Sequence, residues 1–311
     1  MKTEALEEKS KKDGSFSTKM KSFLNKDNVA GHIFSAPFII GFLGFTIIPM
    51  VFSMYYSFTD YNMVQEETFI GAANYVRLFS DERFHKSLIV TLIYVGVSVP
   101  VKLAFALFVA YLLTRKVKGE TVYRSLFYVP SLIGGSIAVA LVWKELFSRR
   151  GLVNNMLRIV GLTPISWFGD QDMAMIPLIL ISAWQFGSSM IIFAAGLKEI
   201  PNTYYEAAII DGANKVQMFF KITLPLLSPI ILFNLIMQTI SAFMAFTQAF
   251  VITGGGPNDA TNFYALYVYN HAFSYYNMGY ASAMSWIMLI IIGFITFLIL
   301  KFSKYWTFTN D

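Results

Sequence analysis

Residues 206–225 read EAAIIDGANKVQMFFKITLP and form a polar, helix-forming stretch between two long apolar segments. Asn202, just ahead of the stretch, is a typical cap or first-turn residue and predicts a helix start. Asp211-Gly212 predicts a turn that ends this first short helix. A second helical run over 214–221 is expected to follow and to stop at Leu224-Pro225, because proline cannot continue a helix.

Two short helices joined by a glycine predict a protruding elbow. The elbow is expected to have little apolar surface of its own, as suits a segment that a cytosolic partner binds. Glu206 is expected to be exposed near a first helical turn, where the helix dipole favours its charge. Gly212 is expected either to adopt a positive φ or to let the two helices pack closely. The alternative is an amphipathic connector that rests on the membrane surface.

The composition indicates a membrane protein. Hydrophobic residues make up 56% of the chain and charged residues only 14%, whereas soluble domains carry about 25% charged residues. The net charge of +5 comes from basic residues dispersed at the ends of apolar runs, so no nucleic-acid-binding patch is predicted. The chain has no cysteine, which excludes disulfides, thiolate metal sites and cysteine nucleophiles.

Six apolar segments are each near or above the ~20 residues that span a bilayer as a helix. They predict an all-α, polytopic membrane protein of six transmembrane helices, since only helices satisfy the backbone of such segments in lipid. The predicted spans are 33–56, 88–113, 123–147, 173–197, 227–250 and 278–303. The predicted domains are a cytoplasmic tail (1–32), the six-helix domain (33–303) with the elbow in its loop 198–226, and a cytoplasmic C-terminus (304–311).

The loop charges predict the orientation of these spans. With the N-terminus inside, the inner segments hold sixteen Lys and Arg residues and the three outer loops hold six. By the positive-inside rule, both termini and the elbow are expected in the cytosol.

Polar residues recur inside the fourth and fifth predicted spans. Gln238, Ser241 and Gln248 are spaced by three and seven residues, which predicts one helical face. Because burying amides in lipid is costly, this face is expected to meet protein or a water-filled cavity. The candidate substrate-pathway residues are Trp184, Gln185, Ser188, Gln238, Ser241, Phe246 and Gln248. Ordinary hydrogen bonds between helices are an equally good interpretation.

Lys102 falls near the middle of the second predicted span, two residues after Pro100. An ammonium at this depth costs at least ~2.5 kcal/mol. Lys102 is therefore either a polar lining of a translocation route or a lysine that snorkels from a kinked helix, and we favour the second interpretation.

Two outer loops carry distinctive patterns. Phe69-Ile70-Gly71 and Asn74-Tyr75 precede an acidic turn at Asp81-Glu82, and 253–257 reads TGGGP. These glycines predict a tight exit from the fifth span, and a ligand-contacting role is the alternative. No Gly-Lys-Ser/Thr motif follows, so no ATP-hydrolysis site is predicted in this chain. The three histidines have no metal-ligand spacing and are expected to be hydrogen-bonded or at the surface.

The stretch that begins at Glu206 follows the spacing EAA-x3-G-x9-I-x-LP without a gap. In this it resembles the cytoplasmic loop of permease subunits of binding-protein-dependent ABC importers. The F-x-G-x-x-NY stretch and the TGGGP…GYASA segment resemble carbohydrate importers, and APFIIGFLGFTIIPMVFSMYYSFTDYN (36–62) is similar to the first, maltose-type permease. The chain departs from the extended members of that group, because it has six predicted spans and a short first outer loop.

The resemblance implies a permease that forms half of the pathway for a sugar in a bacterial inner membrane. Its partners would be a second homologous permease in a heterodimer, two cytosolic ATPase subunits that bind ATP and Mg²⁺, and an external sugar-binding protein. The implied ATPase-coupling residues are Glu206, Ala207, Ala208, Asp211, Gly212, Ile222, Leu224 and Pro225.

An ion-coupled secondary transporter is the alternative function. It predicts paired charged groups near the membrane midplane and an internal repeat of the span architecture. The sequence has no Asp or Glu deep in any predicted span and no clear repeat.

Overall fold

The structure is a computed structural model that describes residues 27–114 and 119–308, and the side chains from residue 34 onward. The predictions for 1–26, for the basic turn 115–118 and for 309–311 lie outside the described residues. Regular structure in the described part is helical, apart from one bridge between Thr59 and Phe69. The all-helical prediction is confirmed.

The first helical segment forms a unit of its own that ends at Tyr56. Helix α1 (Asp27–Phe42) continues through a widened π turn (Leu43–Ile47) into α2 (Ile48–Tyr56). Its portion Phe34–Tyr56 is 23 residues long and apolar enough to cross a membrane. This agrees with the predicted first span.

The second unit begins at Ser57. Its first helices are the short α3 (Ala73–Ser80) and the long α4 (Glu82–Leu113), which has 32 residues and contains Pro100. Helix α4 is a second continuous candidate membrane span. It begins six residues earlier than the predicted second span, because Asp81 caps its first turn by accepting hydrogen bonds from the Arg83 and Phe84 amides.

The next two predicted spans are each broken in the middle. Helix α5 (Glu120–Ile133) bends by 98° into α6 (Ile137–Leu146), and a short α7 (Leu152–Ile159) follows. Helix α8 (Met175–Trp184) bends by 43° into α9 (Gly187–Glu199). Each pair is long and apolar enough to cross a membrane only if its two halves are taken as one span.

The elbow leads directly into the fifth predicted span. Helix α10 (Asn202–Ile210) is followed by α11 (Lys215–Met218), a π turn (Phe219–Thr223) and α12 (Leu224–Leu226). The run 215–226 then bends by 66° into α13 (Ser228–Phe243). The prediction that Leu224-Pro225 stops the second short helix is wrong. The helical run passes through Pro225, which stands in the first positions of α12 just after the π turn, where a missing N–H is tolerated best.

The last helices complete the unit. After a π turn (Ala249–Thr253) and a loop, α14 (Tyr264–Tyr269) runs through a further π turn (Asn270–Ser274). Helix α15 (Met278–Ser303) has 26 residues and is a third continuous candidate span. Counting each bent pair as one span, the described residues contain up to six spans.

Helix α4 packs against α8, α9 and α13 and forms the centre of the second unit. Small residues allow close approaches between helices. Ala106 on α4 and Ala194 on α9 are fully buried, and a Cβ at Gly187 of α9 would clash with the backbone of Phe127 and Tyr128 on α5. Small residues at helix contacts are typical of membrane bundles, where tight packing replaces the hydrophobic effect between helices.

Candidate functional site

A polar cavity of about 230 Å³ lies where three helix interruptions meet. Gly135 lines it from the break between α5 and α6, Gln185 from the break between α8 and α9, and Thr247 from the segment that follows α13. Helix breaks free backbone groups from helical hydrogen bonding, so they are tolerated at membrane depth only beside protein or a cavity.

Side-chain amides satisfy the freed carbonyl of the first break. The Gly134 oxygen accepts hydrogen bonds from Nε2 of Gln185 at 3.1 Å and from Nε2 of Gln248 at 3.2 Å. Ser131 Oγ donates to the Gln185 carbonyl and accepts from the Ser188 amide, both at 3.0 Å. These bonds connect the three interruptions to one another.

Five of the seven predicted pathway residues line this cavity: Gln185, Gln238, Ser241, Phe246 and Gln248. Trp184 and Ser188 are placed beside it but are not part of its lining. The Trp184 ring packs against Trp143 with 5.8 Å between ring centroids, at the edge of the main hydrophobic core.

The predicted single helical face for Gln238, Ser241 and Gln248 is wrong. Helix α13 ends at Phe243, so Gln248 lies beyond it in the next segment. All three residues nevertheless reach the same cavity.

The polar side chains of the cavity have two kinds of environment. Gln185 and Gln248 donate to the Gly134 carbonyl and hold helix breaks together. Within the described part of the chain, Gln238 and Ser241 on α13 form no side-chain hydrogen bond, and Ser241 is exposed. Gln238 and Ser241 are therefore available to a bound molecule.

Phe246 supplies an aromatic surface at the cavity. Its ring stacks on Phe250, with centroids 5.2 Å apart and planes 17° apart, and lies 4.8 Å from the Tyr269 ring. Flat aromatic faces of this kind suit the apolar faces of sugar rings.

Lys102 on α4 is half-buried and lines the same cavity. Its position favours the pathway-lining interpretation over the snorkelling one. Sequence reasoning missed Tyr94, Ser182 and Thr247, which also line the cavity. The Gly134-Gly135 pair in the third apolar segment was the available signal of a helix break there.

The elbow carries the predicted ATPase-coupling residues. Glu206, Ala207 and Asp211 are exposed, whereas Ala208, Ile222, Leu224 and Pro225 are half-buried. Glu206 is exposed, and it lies just after the first turn of α10, which begins at Asn202.

The geometry of the elbow matches the predicted glycine turn. Gly212 has φ +77° and a Cβ there would meet nothing within 4 Å, so its role is the positive φ and not close packing. Asn214 and Gln217 then form a capping box that starts α11. The Tyr205 and Thr223 hydroxyls, 2.9 Å apart, join the two arms of the elbow.

The expectation of little apolar surface on the elbow is wrong. Ile209, Ile210, Val216 and Phe220 are 62%, 86%, 67% and 60% exposed. The apolar residues of α10 do not segregate to one face, so the elbow lacks the amphipathic helix of a membrane-surface connector.

The side chains of the loop after Ser57 hold that loop in its folded conformation. Asn74 Nδ2 donates to the backbone carbonyls of Ser57 at 3.0 Å and Thr59 at 2.9 Å. The Tyr75 hydroxyl donates to Ser57 Oγ at 2.8 Å. Gly71 adopts φ +57° in the turn between them. The predicted F-x-G-x-x-NY pattern therefore folds this loop on itself.

Asp81 joins three helices at the end where α4 begins. Besides capping α4, its carboxylate accepts hydrogen bonds from the hydroxyls of Tyr267 at 2.8 Å and Tyr280 at 2.6 Å. Burial by itself would raise the pKa of Asp81, but the bonds from Tyr280, Tyr267 and the two amides hold that pKa below its usual value.

His271 lies beside this cluster, and the expectation that it is hydrogen-bonded or at the surface is wrong. Its side chain is 5% exposed, and Nδ1 has no hydrogen-bond partner within the described residues. Tyr267, Tyr275 and Tyr280 surround the ring with centroids 4.7 to 5.1 Å away. Burial lowers the pKa of His271 to about 4, and the Arg77 charge contributes in the same direction.

The TGGGP segment makes a tight turn after the π turn that ends at Thr253. Gly254 and Gly255 have φ of +61° and +89°. Thr261 Oγ1 lies 2.7 Å from both the Gly256 carbonyl and Thr253 Oγ1. These contacts agree with the predicted tight exit from the fifth span. Groups of three or more residues able to hold a metal ion are absent from the described part of the chain.

Comparison with known proteins agrees with this architecture. The chain is 52% identical over 298 residues to the probable ABC transporter permease protein YesP of Bacillus subtilis (strain 168), which covers 94% of this chain and 96% of that protein. It is 33% identical over 281 residues to the trehalose/maltose transport system permease protein MalF of Thermococcus litoralis, covering 88% of this chain and 94% of that protein.

Solved structures share the fold. The bacterial alginate ABC transporter in complex with alginate pentasaccharide-bound periplasmic protein contains a chain with a TM-score of 0.79 and 23% identity, covering 93% of this chain and 98% of that chain. The family model described as "Binding-protein-dependent transport system inner membrane component" matches residues 68–305. The chain belongs to this family of transport permeases.

Proposed function

We propose that this chain forms one wall of the translocation pathway of a carbohydrate importer. The observation that carries the proposal is that the α5–α6 break, the α8–α9 break and the segment after α13 meet at one polar cavity, where Gln238 and Ser241 are available to a ligand. Discontinuous helices around a central cavity are typical of transporter substrate sites. The family match and the relative named for trehalose and maltose transport support a carbohydrate as the substrate.

The size of the cavity supports a shared pathway. Ligand sites usually occupy about 300–1,000 Å³, and this cavity holds about 230 Å³. A second, homologous permease that forms a heterodimer with this chain would supply the remaining wall. Phe246 offers the sugar a ring surface, and Gln238 and Ser241 offer hydrogen bonds.

In this proposal, the elbow is the part of the chain that the ATPase subunit binds and moves. Its exposed apolar residues, among them Ile210 and Phe220, suit burial against a cytosolic ATPase subunit. The Phe219 ring packs edge-on against Tyr111 with centroids 5.1 Å apart. Tyr111 lies on α4, which also carries Lys102 at the cavity. Movement of the elbow is therefore passed to the cavity wall along one long helix.

The proposal includes an assembly and an orientation of the chain. Two ATPase subunits bind the elbows of the two permeases in the cytosol, where both chain termini also lie. An external sugar-binding protein delivers the substrate to the opposite end, near Asp81 and the TGGGP turn. The solved relative in complex with a periplasmic protein supports such a delivery partner.

The test is reconstitution of the chain in liposomes with its second permease, the ATPase subunits and the binding protein. We expect ATP-dependent uptake of a labelled oligosaccharide that disappears when any one component is omitted. Uptake by this chain alone under a proton or sodium gradient would contradict the proposal and establish the ion-coupled alternative, which the comparisons do not support.

A further inference from the structure

Lys102 has no neutralising partner in the described structure. No acidic residue lines its cavity, and the ammonium forms no ion pair or hydrogen bond within the described part of the chain. The nearby break carbonyl of Gly134 is already occupied, because it accepts the amides of Gln185 and Gln248. Among the described residues that line the cavity, the only full charge is therefore the positive charge of Lys102.

This positive charge affects which ligands the cavity holds. An ammonium beside an open cavity is stabilised by the water that enters it. A ligand that fills the cavity displaces this water, and a charge removed from water is costly unless an opposite charge or several strong acceptors replace it. A neutral sugar provides only hydroxyl oxygens, whereas a carboxylate provides the charge-assisted hydrogen bonds that an ammonium forms most favourably.

We propose that the cavity receives a carbohydrate bearing a carboxylate, such as a uronic acid residue, and that Lys102 pairs with this group. The inference rests on the proposed function and adds the substrate class. Gln238 and Ser241 on α13 then bind hydroxyl groups of the same sugar, since their side chains lie on the same cavity. Lys102 thereby selects acidic over neutral oligosaccharides.

The test compares uptake of matched labelled trisaccharides, each uronate paired with its neutral parent sugar, by the complete reconstituted importer. We expect the wild-type importer to take up the uronate of at least one pair in preference to its parent. Lys102→Gln should lower uptake of that uronate about ten- to hundredfold, the usual contribution of a hydrogen-bonded charge. Lys102→Arg should retain most of it.

Lys86→Gln is the matched control, because Lys86 lies on the same helix, is exposed and is remote from the cavity lining. Its selectivity should equal that of the wild type. Preference for the neutral parent sugars, or an unchanged preference in Lys102→Gln, would overturn the inference and leave the proposed function intact. Uptake of sulfated or phosphorylated sugars in place of uronates would overturn the carboxylate assignment.

Two further outcomes separate structural roles from recognition. If Lys102→Gln and Lys102→Met both fail to co-purify with the second permease while Lys102→Arg succeeds, the ammonium pairs with a carboxylate of that permease and the inference fails. If the wild-type importer takes up neither member of any pair, this result contradicts the proposed carbohydrate function and also the inference that rests on it.

Discussion

Gln185 and Gln238 are the same residue type in the same cavity, yet their contacts differ. Gln185 Nε2 is bonded to the Gly134 carbonyl across a helix break. Gln238 forms no side-chain hydrogen bond within the described residues. The interpretation of the polar residues as hydrogen bonds between helices therefore applies to Gln185 and Gln248. Contact with substrate remains a prediction for Gln238 and Ser241.

Substitutions of these residues should separate the two roles. Gln238→Ala and Ser241→Ala should each lower sugar uptake with unchanged thermal stability, because each removes a contact worth about 0.5–1.5 kcal/mol that forms only with substrate. The measurements are uptake by the reconstituted importer and thermal unfolding of the purified chain in detergent.

Gln185→Ala is the contrasting variant. It should lower the thermal unfolding temperature, since it removes one of the two donors to the buried Gly134 carbonyl and opens the α8–α9 break. Unchanged stability in Gln185→Ala, together with unfolding in Gln238→Ala, would reverse the assignment of roles.

At the scale of the elements, the elbow depends on one backbone conformation. Gly212 has φ +77°, a region that costs other residues about 1–2 kcal/mol and that Asn tolerates best. Gly212→Val should reduce both co-purification of the ATPase and stimulated ATP hydrolysis, because the two arms of the elbow change their angle. Gly212→Asn, the matched control, should retain most of the ATPase co-purification and most of the stimulated ATP hydrolysis. If both variants lost co-purification and ATP hydrolysis equally, the positive φ would not be the reason why glycine occupies position 212.

Close approach of α9 to α5 depends on another glycine. A Cβ at Gly187 would clash with the backbone of Phe127 and Tyr128, whereas a Cβ at Gly293 in α15 would meet nothing within 4 Å. Gly187→Ala should lower the thermal unfolding temperature because the two helices must separate. Gly293→Ala should leave it unchanged or raise it slightly, since alanine is favoured over glycine inside helices by about 0.5–1 kcal/mol. Equal effects of the two substitutions would contradict the packing explanation.

At the scale of the whole molecule, one end of the second unit depends on charge states. Asp81 joins α4 to Tyr267 and Tyr280, and His271 lies uncharged among the same tyrosines. Arg77 lies over the Tyr280 ring at 4.3 Å, so a charged histidine would face a nearby cation. Protonation of either group weakens the same junction of helices.

We therefore expect thermal stability to fall as the pH falls from about 6.5 to about 4. The pKa of histidine is ordinarily 6.5 and burial lowers it to about 4 in the folded protein, so within this window the unfolded chain binds a proton that the folded chain does not. Asp81 acts in the same direction at lower pH, because its pKa is lowered in the folded state and the stability it contributes is lost on protonation.

The measurement is the unfolding temperature of the purified protein in detergent between pH 7 and pH 4. His271→Phe keeps the ring and removes the titrating group, so it should flatten the dependence between pH 6.5 and 4. A pH dependence that persists in full in His271→Phe would exclude His271 as its cause.

Much of the architecture is determined locally and follows from the sequence alone. The length of each apolar run indicates a span, because lipid requires a helix of that length. The glycine turn of the elbow follows from backbone sterics at Gly212, and the spacing around it identifies the family. These features depend on neighbouring residues and on the solvent, both of which are evident in the sequence.

The candidate site was decided by tertiary structure. In a membrane protein, lipid-facing and buried positions are both apolar, so periodicity does not mark which face of a span is inside. The positions of the helix breaks, the Gly134 carbonyl that takes amides from residues 51 and 114 positions away, and the Asp81 bonds from 186 and 199 positions away arise only on packing. Which glutamine holds the fold and which one is free for a ligand is therefore a property of the assembled helices.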